Sequence, residues 1–98
     1  MDRPDEAAAS AFLVERYWPG VTSEKLARAA NRMRDAATAM TREGKRVRYV
    51  RSTLMPIDEV VLSYFEAPSR DVVEELNRRS GVHFDRIADA ADVSDEGR

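Results

Sequence analysis

The stretch RVRYVRSTLMPIDEVVLSYFEAPS, residues 46–69, decides the fold of this chain. Its β-branched and aromatic residues predict two strands, residues 46–54 and 59–67. The turn between them, residues 55–58, contains a proline that fixes the backbone φ angle. Because residues 59–67 are apolar on both faces, we expect this strand to be covered on both sides.

The segments on either side of this hairpin supply four more elements. Residues 11–18 alternate between apolar and polar side chains, which predicts a strand. Residues 23–44 repeat apolar side chains every three or four positions, which predicts a helix. Downstream, a shorter helix begins after the N-cap Ser69 and ends at Gly81. Residues 86–93 then predict a fourth strand.

The predicted order is therefore β-α-β-β-α-β. Right-handed crossovers turn this order into one antiparallel four-stranded sheet with both helices on one face, the α+β ferredoxin-like arrangement. We assign residues 11–93 to this domain, with a flexible N-terminal arm at 1–10 and a flexible C-terminal tail at 94–98. The uncovered sheet face carries apolar residues, which predicts a homodimer formed through that face.

Composition excludes several classes of function. The 98 residues include 16 Lys and Arg against 18 Asp and Glu, a net charge of −2 that gives no general attraction for nucleic acid or anionic membranes. No apolar stretch is long enough for a membrane helix, and the acidic N-terminus does not resemble a signal peptide. We therefore predict a cytoplasmic protein with neither nucleic acid nor membrane as a partner. The absence of Cys removes disulfides and thiol chemistry.

Three segments in this order resemble a known family: FLVERYWPG, VRYVRSTLMPIDEVVLSYFEAPS and GVHFDRIADAADV. The most specific pieces are the L-V-E-R strand before P-G, the EAPS start of the second helix, and DRI before the last strand. The family consists of small bacterial ferredoxin-like proteins of unknown function whose named activity is nickel binding. The resemblance spans about residues 11–93. It implies a ferredoxin-like fold, commonly dimeric, and implies no enzyme activity.

Nickel is the cofactor that this resemblance implies, and His83 is the metal-ligand candidate. Nickel prefers imidazole nitrogens, but the chain contains one His and no Cys. A nickel site would therefore need carboxylates and water as well, ligands that suit magnesium or manganese better. The alternative for His83 is a loop residue that caps carbonyl groups or faces solvent.

The end of the first strand offers a ligand-binding candidate. Glu15, Arg16, Tyr17 and Trp18 stand in a row before a Pro-Gly break. In the binding interpretation they form a pocket rim, where Arg16 and Tyr17 orient a polar ligand and Trp18 supplies a flat wall. In the alternative they form a strand end that packs against a partner subunit, since aromatic residues and Arg are enriched in interfaces.

Arg51 and Tyr64, which we expect on the two central strands, are the remaining ligand-binding candidates. A dimer of such sheets can enclose a cavity, as in small dimeric α/β-barrel isomerases and cofactor-independent monooxygenases. That enzyme is the alternative function. We favour a small binding protein for a metal ion or small ligand, because no catalytic motif accompanies these two residues.

A basic run over residues 42–51 also requires an interpretation. Its cations are Arg42, Lys45, Arg46, Arg48 and Arg51. They could form a patch for phosphate or RNA, but the glycine-containing aromatic motif of RNA-binding sheets is missing from the third strand. The preferred interpretation is a set of solvated charges that prevents an edge strand from pairing with other chains.

Overall fold

The computed structural model describes residues 10–91. Its elements are β1 Ser10–Tyr17, α1 Ser23–Arg42, β2 Arg48–Met55, β3 Val60–Ala67, α2 Arg70–Ser80 and β4 Arg86–Ala90. The strands form one antiparallel sheet in the order β2-β3-β1-β4. The central strands are therefore β1 and β3, and β2 with Arg51 is an edge strand, contrary to the expectation that Arg51 lies on a central strand. The α+β ferredoxin-like prediction is confirmed. The predicted arm and tail lie outside the described residues, apart from Ser10, with which β1 begins.

The hydrophobic core fills the layer between the sheet and the two helices. Every second residue of β1 points into this layer, as the alternation of the first strand predicts. The α1 stripe consists largely of Ala and Met, whose small or flexible side chains let the helix lie close to the sheet. The core includes Phe12, Val14, Ala29, Met33, Met40, Phe65, Val73, Leu76 and Ile87.

Capping residues lie at the start of α1 and at both ends of α2. The Thr22 side chain accepts a hydrogen bond from the Lys25 N–H at 3.1 Å, which caps α1. Ser69 precedes α2 but makes no side-chain capping hydrogen bond. Gly81 ends α2 in the left-handed conformation, at φ 71°, which a glycine adopts without strain. The chain therefore turns sharply back towards the sheet after α2.

A β-bulge interrupts the alternation of side chains along β2. Strict alternation places Tyr49 and Arg51 on one face, but the register with β3 shifts between these two residues. The extra residue, Val50, forms a β-bulge. Tyr49 therefore packs inwards, 5.5 Å from the Phe65 ring, whereas Arg51 lies on the opposite face.

The sheet face opposite the helices, called the open face below, has an apolar centre and charged corners. Pairing between the strands places Leu13, Leu62 and Tyr64 at its centre, all three half-buried in the single chain. Ion pairs flank this centre at opposite corners, Arg86 with Glu15 at 3.0 Å and Arg48 with Glu66 at 3.0 Å.

Candidate functional site

A cleft lies where the end of β1 meets the loop after α2. Its volume is about 180 Å³, and it is lined by Trp18, Arg32, Gly81, Val82 and His83. Trp18 and His83 are the one Trp and the one His of the chain. The sequence suggested these two residues as separate candidates, and the fold brings them to the same cleft, called the Trp18–His83 cleft below.

Hydrogen bonds to β1 hold the loop that carries His83. The Asp85 N–H donates to the Glu15 carbonyl oxygen at 2.8 Å, and the Tyr17 N–H donates to the Asp85 carboxylate at 2.6 Å. At the other end of the loop, the Val82 N–H donates to the Asn77 carbonyl oxygen of α2 at 3.3 Å. The loop is therefore fastened to both the sheet and the helix that it connects.

Trp18 is fixed through its backbone by the β2–β3 hairpin. Its N–H donates to the Glu59 carbonyl oxygen at 2.8 Å. The Glu59 carboxylate in turn accepts the Gly20 N–H at 2.8 Å. Glu59 has φ 56°, a left-handed conformation that is uncommon for a residue with a side chain. The strained residue is thus the one that holds the β1 end in place, an arrangement often found at functional sites.

His83 and Asp85 form an imidazole–carboxylate pair. The His83 Nε2 atom lies 3.0 Å from Asp85 Oδ2. A neutral His83 that donates its Nε2 proton to Asp85 leaves Nδ1 with a free lone pair. The Tyr17 N–H, followed by the nearby His83, lowers the pKa of the Asp85 carboxyl below its ordinary value of 3.8. The carboxylate is therefore ionised at neutral pH and orients the imidazole ring.

The lowered pKa of Asp85 predicts a pH-dependent contribution to stability. A carboxyl whose pKa is lower in the folded chain stabilises the fold above its unfolded pKa, and this contribution is lost as the pH falls through the folded value. We expect Asp85→Asn to lower the free energy of unfolding at pH 7 and to make progressively less difference below about pH 4. Urea denaturation of both proteins between about pH 2 and 7 measures this. Asp58→Asn, in the β2–β3 turn, is the matched control, and an equal pH profile for both variants would contradict the prediction.

Arg16 lies in the core, not at a pocket rim as one interpretation of the sequence had it. Its side chain is fully buried. It donates hydrogen bonds to the His83 carbonyl oxygen at 2.9 Å, to Ser63 Oγ at 3.3 Å and to Met33 Sδ at 3.1 Å. Burial lowers the pKa of Arg16 to about 10, against the smaller opposing effects of Tyr49 and Asp85. Arg16 therefore supports the Trp18–His83 cleft from beneath by holding the His83 backbone.

The other predicted site residues lie on the open face. Glu15 pairs with Arg86, and Tyr17 is 56% exposed at the strand end. The Arg51 guanidinium lies over the Tyr64 ring, 4.2 Å from its centre. The predicted residues thus fall into two groups: Trp18 and His83 at the cleft, with Arg16 beneath it, and the remaining four on the open face.

The donor set of this chain does not fit a complete nickel site. Within residues 10–91, no group of three or more His, Cys, Asp and Glu side chains is placed to hold a metal ion. His83 and Asp85 offer one imidazole and one carboxylate, and the carboxylate already engages the imidazole and the Tyr17 N–H. Two donors fall short of the four to six ligands that nickel takes in square-planar or octahedral sites.

Arg32 is the cleft residue that the sequence did not indicate. It lies on α1, where the helical period assigns it to the solvated side. In the structure its Nε atom donates to the Ser80 carbonyl oxygen at 3.0 Å. No carboxylate among residues 10–91 pairs with its guanidinium. Only the packing of α1 against the end of α2 places Arg32 at the cleft, so no local sequence signal could have identified it.

Comparison with known proteins agrees with the fold and the predicted resemblance. Residues 12–89 match the family described as nickel responsive protein SCO4226-like. The chain belongs to this family. The crystal structure of SCO4226 from Streptomyces coelicolor A3(2) superposes with a TM-score of 0.70 at 21% identity, covering 87% of this chain and all of that one. Among curated proteins, none matches the chain significantly.

This SCO4226-like chain is therefore a small α+β protein of a nickel-responsive family. The structural similarity supports the ferredoxin-like arrangement, and the family match confirms the resemblance noted in the sequence. None of the helices within residues 10–91 is long and apolar enough to span a membrane.

Proposed function

We propose that this SCO4226-like protein binds a small ligand in the Trp18–His83 cleft and that a planar carboxylate is the class of ligand that this cleft fits best. The observation that supports the proposal is the arrangement of an aromatic wall, an imidazole and a cation around one depression: Trp18, His83 and Arg32. Small-ligand sites typically combine such apolar walls with a few fixed polar groups.

Arg32 supplies the anchor for a carboxylate. Its Nε atom is held by the Ser80 carbonyl oxygen, which fixes the plane of the guanidinium. The two Nη atoms have no acidic partner among residues 10–91 and can donate two parallel hydrogen bonds. A planar ligand would then lie against the Trp18 indole. The His83 imidazole, oriented by Asp85, contributes a third polar contact.

Trp18 makes the proposal testable by fluorescence, because it is the one Trp of the chain. We expect benzoate to change the Trp18 emission in a saturable way. Arg32→Gln should weaken this binding about tenfold or more, as expected when a hydrogen-bonded ion pair is lost. Arg28→Gln, on the solvated side of α1, is the matched control. A response that is unaffected by Arg32→Gln would sink the carboxylate proposal.

A nickel ion at His83 is the second candidate. The observation that favours it is the His83–Asp85 pair, because metal-binding imidazoles commonly donate their second nitrogen to a carboxylate. With Nε2 directed to Asp85, Nδ1 would bind the ion, and further ligands would have to come from water or a second chain. The same titration with nickel chloride tests this candidate. A saturable response that persists in Arg32→Gln and is lost in His83→Ala would support nickel over the carboxylate.

We also propose that two copies pair through the open face. An apolar centre of Leu13, Leu62 and Tyr64 between charged corners has the composition of a protein interface, and the helices leave it uncovered. In this arrangement Arg51 and Tyr64 serve as interface residues. An enzyme would instead require these two side chains to face a cavity enclosed by the dimer. The molar mass in solution, measured by light scattering, distinguishes a dimer from a single chain of 11.1 kDa.

A further inference from the structure

We propose that the groove between α1 and the start of β2 binds an extended acidic peptide. Two contiguous clefts, of about 340 and 310 Å³, form this groove and share Thr41, Val47 and Arg48. Side by side they make an elongated depression, which accommodates an extended chain better than a single small ion. This arginine groove shares no residue with the Trp18–His83 cleft.

The larger cleft of the arginine groove is strongly cationic. Arg34 and Arg42 line it from α1 and Arg48 from β2, and no acidic side chain lines it. This local excess of positive charge occurs in a chain whose net charge is −2. Charge complementarity therefore selects an acidic partner. Arg42 and Arg48 belong to the basic run seen in the sequence, and the fold adds Arg34 to them.

Two acidic residues lie near the groove, and only one of them pairs with a cation of the groove. Glu43 accepts both Nη groups of Arg79 at 2.8 Å, which directs it towards α2. Glu66 lines the smaller cleft and pairs with Arg48 at 3.0 Å, so the charge that remains for a ligand comes from Arg34 and Arg42. Among residues 10–91, Arg42 has no acidic partner.

Arg34 likewise retains its charge for a ligand. It donates to the neutral Asn31 Oδ1 at 2.7 Å and lies 5.6 Å from the centre of the Tyr49 ring. These contacts hold the guanidinium at the groove wall without cancelling its charge. The Tyr49 hydroxyl is itself fixed, 2.7 Å from Ser52 Oγ. One wall of the groove is therefore already ordered before a ligand arrives, which reduces the entropy lost on binding.

The backbone of β2 favours a peptide over other anions. Among residues 10–91, β2 is an edge strand that pairs with β3 alone, so its outer edge offers N–H and C=O groups to an added strand. The floor of the groove contains Ala37 and Val47, small side chains that leave room for a backbone. The bulge at Val50 limits the straight edge to the first residues of β2, so we expect a short paired segment.

The opposite edge of the sheet provides an internal comparison. There the charges of β4 are paired: Arg86 with Glu15 at 3.0 Å and Asp89 with Arg70 at 3.6 Å. An acidic peptide would gain no unpaired cation along β4. Binding is therefore expected at β2 and not at β4, although both strands are edges of the same sheet.

Amide chemical shifts of the isotope-labelled protein test the proposal with a blocked octapeptide, (Glu-Val)4, as the probe. Alternation places all four carboxylates on one side of an extended strand. We expect saturable shifts along β2 and the second half of α1. Arg34→Gln and Arg42→Gln should each weaken binding about three- to fivefold, the range for an accessible ion pair, and the double variant about tenfold or more. Raising the salt concentration should also weaken binding.

Two controls separate a peptide site from a general anion site. Arg28→Gln, on the same helix but outside the groove, should leave the affinity for (Glu-Val)4 unchanged. The uncharged peptide (Gln-Val)4 should bind at least tenfold more weakly. Three outcomes would each overturn the proposal. The first is equal binding of (Gln-Val)4, and the second is chemical-shift changes along β4 in place of β2. The third is displacement of the peptide by equimolar pyrophosphate or a short oligouridylate.

Discussion

Replacing Arg16 with Ala is expected to lower the free energy of unfolding by about 3–5 kcal/mol. The change removes one of the largest fully buried side chains of the chain and leaves a cavity beneath the Trp18–His83 cleft. It also leaves the His83 carbonyl oxygen and Ser63 Oγ without their donor. Urea denaturation followed by far-ultraviolet circular dichroism measures the change. This stability loss would make Arg16 one of the most important single side chains for the fold.

Arg16→Met separates the loss of volume from the loss of charge. Met fills much of the space but carries no charge, so it avoids the cost of burying the guanidinium, which is the main cause of its lowered pKa. We expect Arg16→Met to be more stable than Arg16→Ala by about 1–2 kcal/mol. Arg86→Ala, which removes an exposed Arg with one ion pair, is the control and should cost under about 1 kcal/mol. Equal losses for Arg16→Ala and Arg86→Ala would contradict a supporting role for Arg16.

A network of hydrogen-bonded hydroxyl groups explains how the fold tolerates the buried Arg16 guanidinium. Arg16 Nε donates to Ser63 Oγ, which lies 2.7 Å from Ser52 Oγ, and Ser52 lies 2.7 Å from the Tyr49 hydroxyl. The network crosses from β1 through β3 to β2 on the helix side of the sheet. Polar groups that can reorient stabilise a charge for which residues 10–91 supply no direct carboxylate partner.

The burial of Arg16 between the sheet and the helices could be predicted from the first strand alone. Alternation placed Arg16 on the same face as Phe12 and Val14, and that face is the buried one. The rim interpretation failed because it rested on the usual exposure of Arg, whereas the period of the strand already assigned Arg16 to the core. The acceptors that make its burial tolerable come from β3, α1 and the loop before β4. No local pattern of the sequence shows them.

Two features could not be predicted from any single segment of the sequence: the faces on which the β2 side chains lie, and the Trp18–His83 cleft. An unpaired Val50 reverses the alternation of RVRYVRSTL halfway along, and nothing in the residue types marks the position of this bulge. Trp18 and His83 are far apart in the sequence, and they meet because β4 pairs with β1. Recognising both residues as candidates was possible from composition, since each occurs once, but their proximity required the register of the sheet.

Replacing Leu62 with Asp is expected to convert the proposed dimer into monomers. Leu62 lies on β3 between Glu15 of β1 and Thr53 of β2, near the centre of the open face. A carboxylate there would be buried without a partner when two sheets meet, and an unpaired buried charge is strongly destabilising. The dissociation constant of the dimer should rise roughly a hundredfold or more. Light scattering over a range of protein concentrations measures the change in molar mass.

The monomeric variant should keep its fold, because Leu62 is half-buried and points away from the helices. Unchanged far-ultraviolet circular dichroism checks this. Ala27→Asp introduces the same charge on the exposed side of α1, in the opposite layer of the molecule, and should leave the molar mass unchanged. A Leu62→Asp protein with the same mass as the wild type would rule out the open face as the interface. If that mass is twice 11.1 kDa, another surface joins the two chains, and Arg51 and Tyr64 are then accessible to solvent in the dimer.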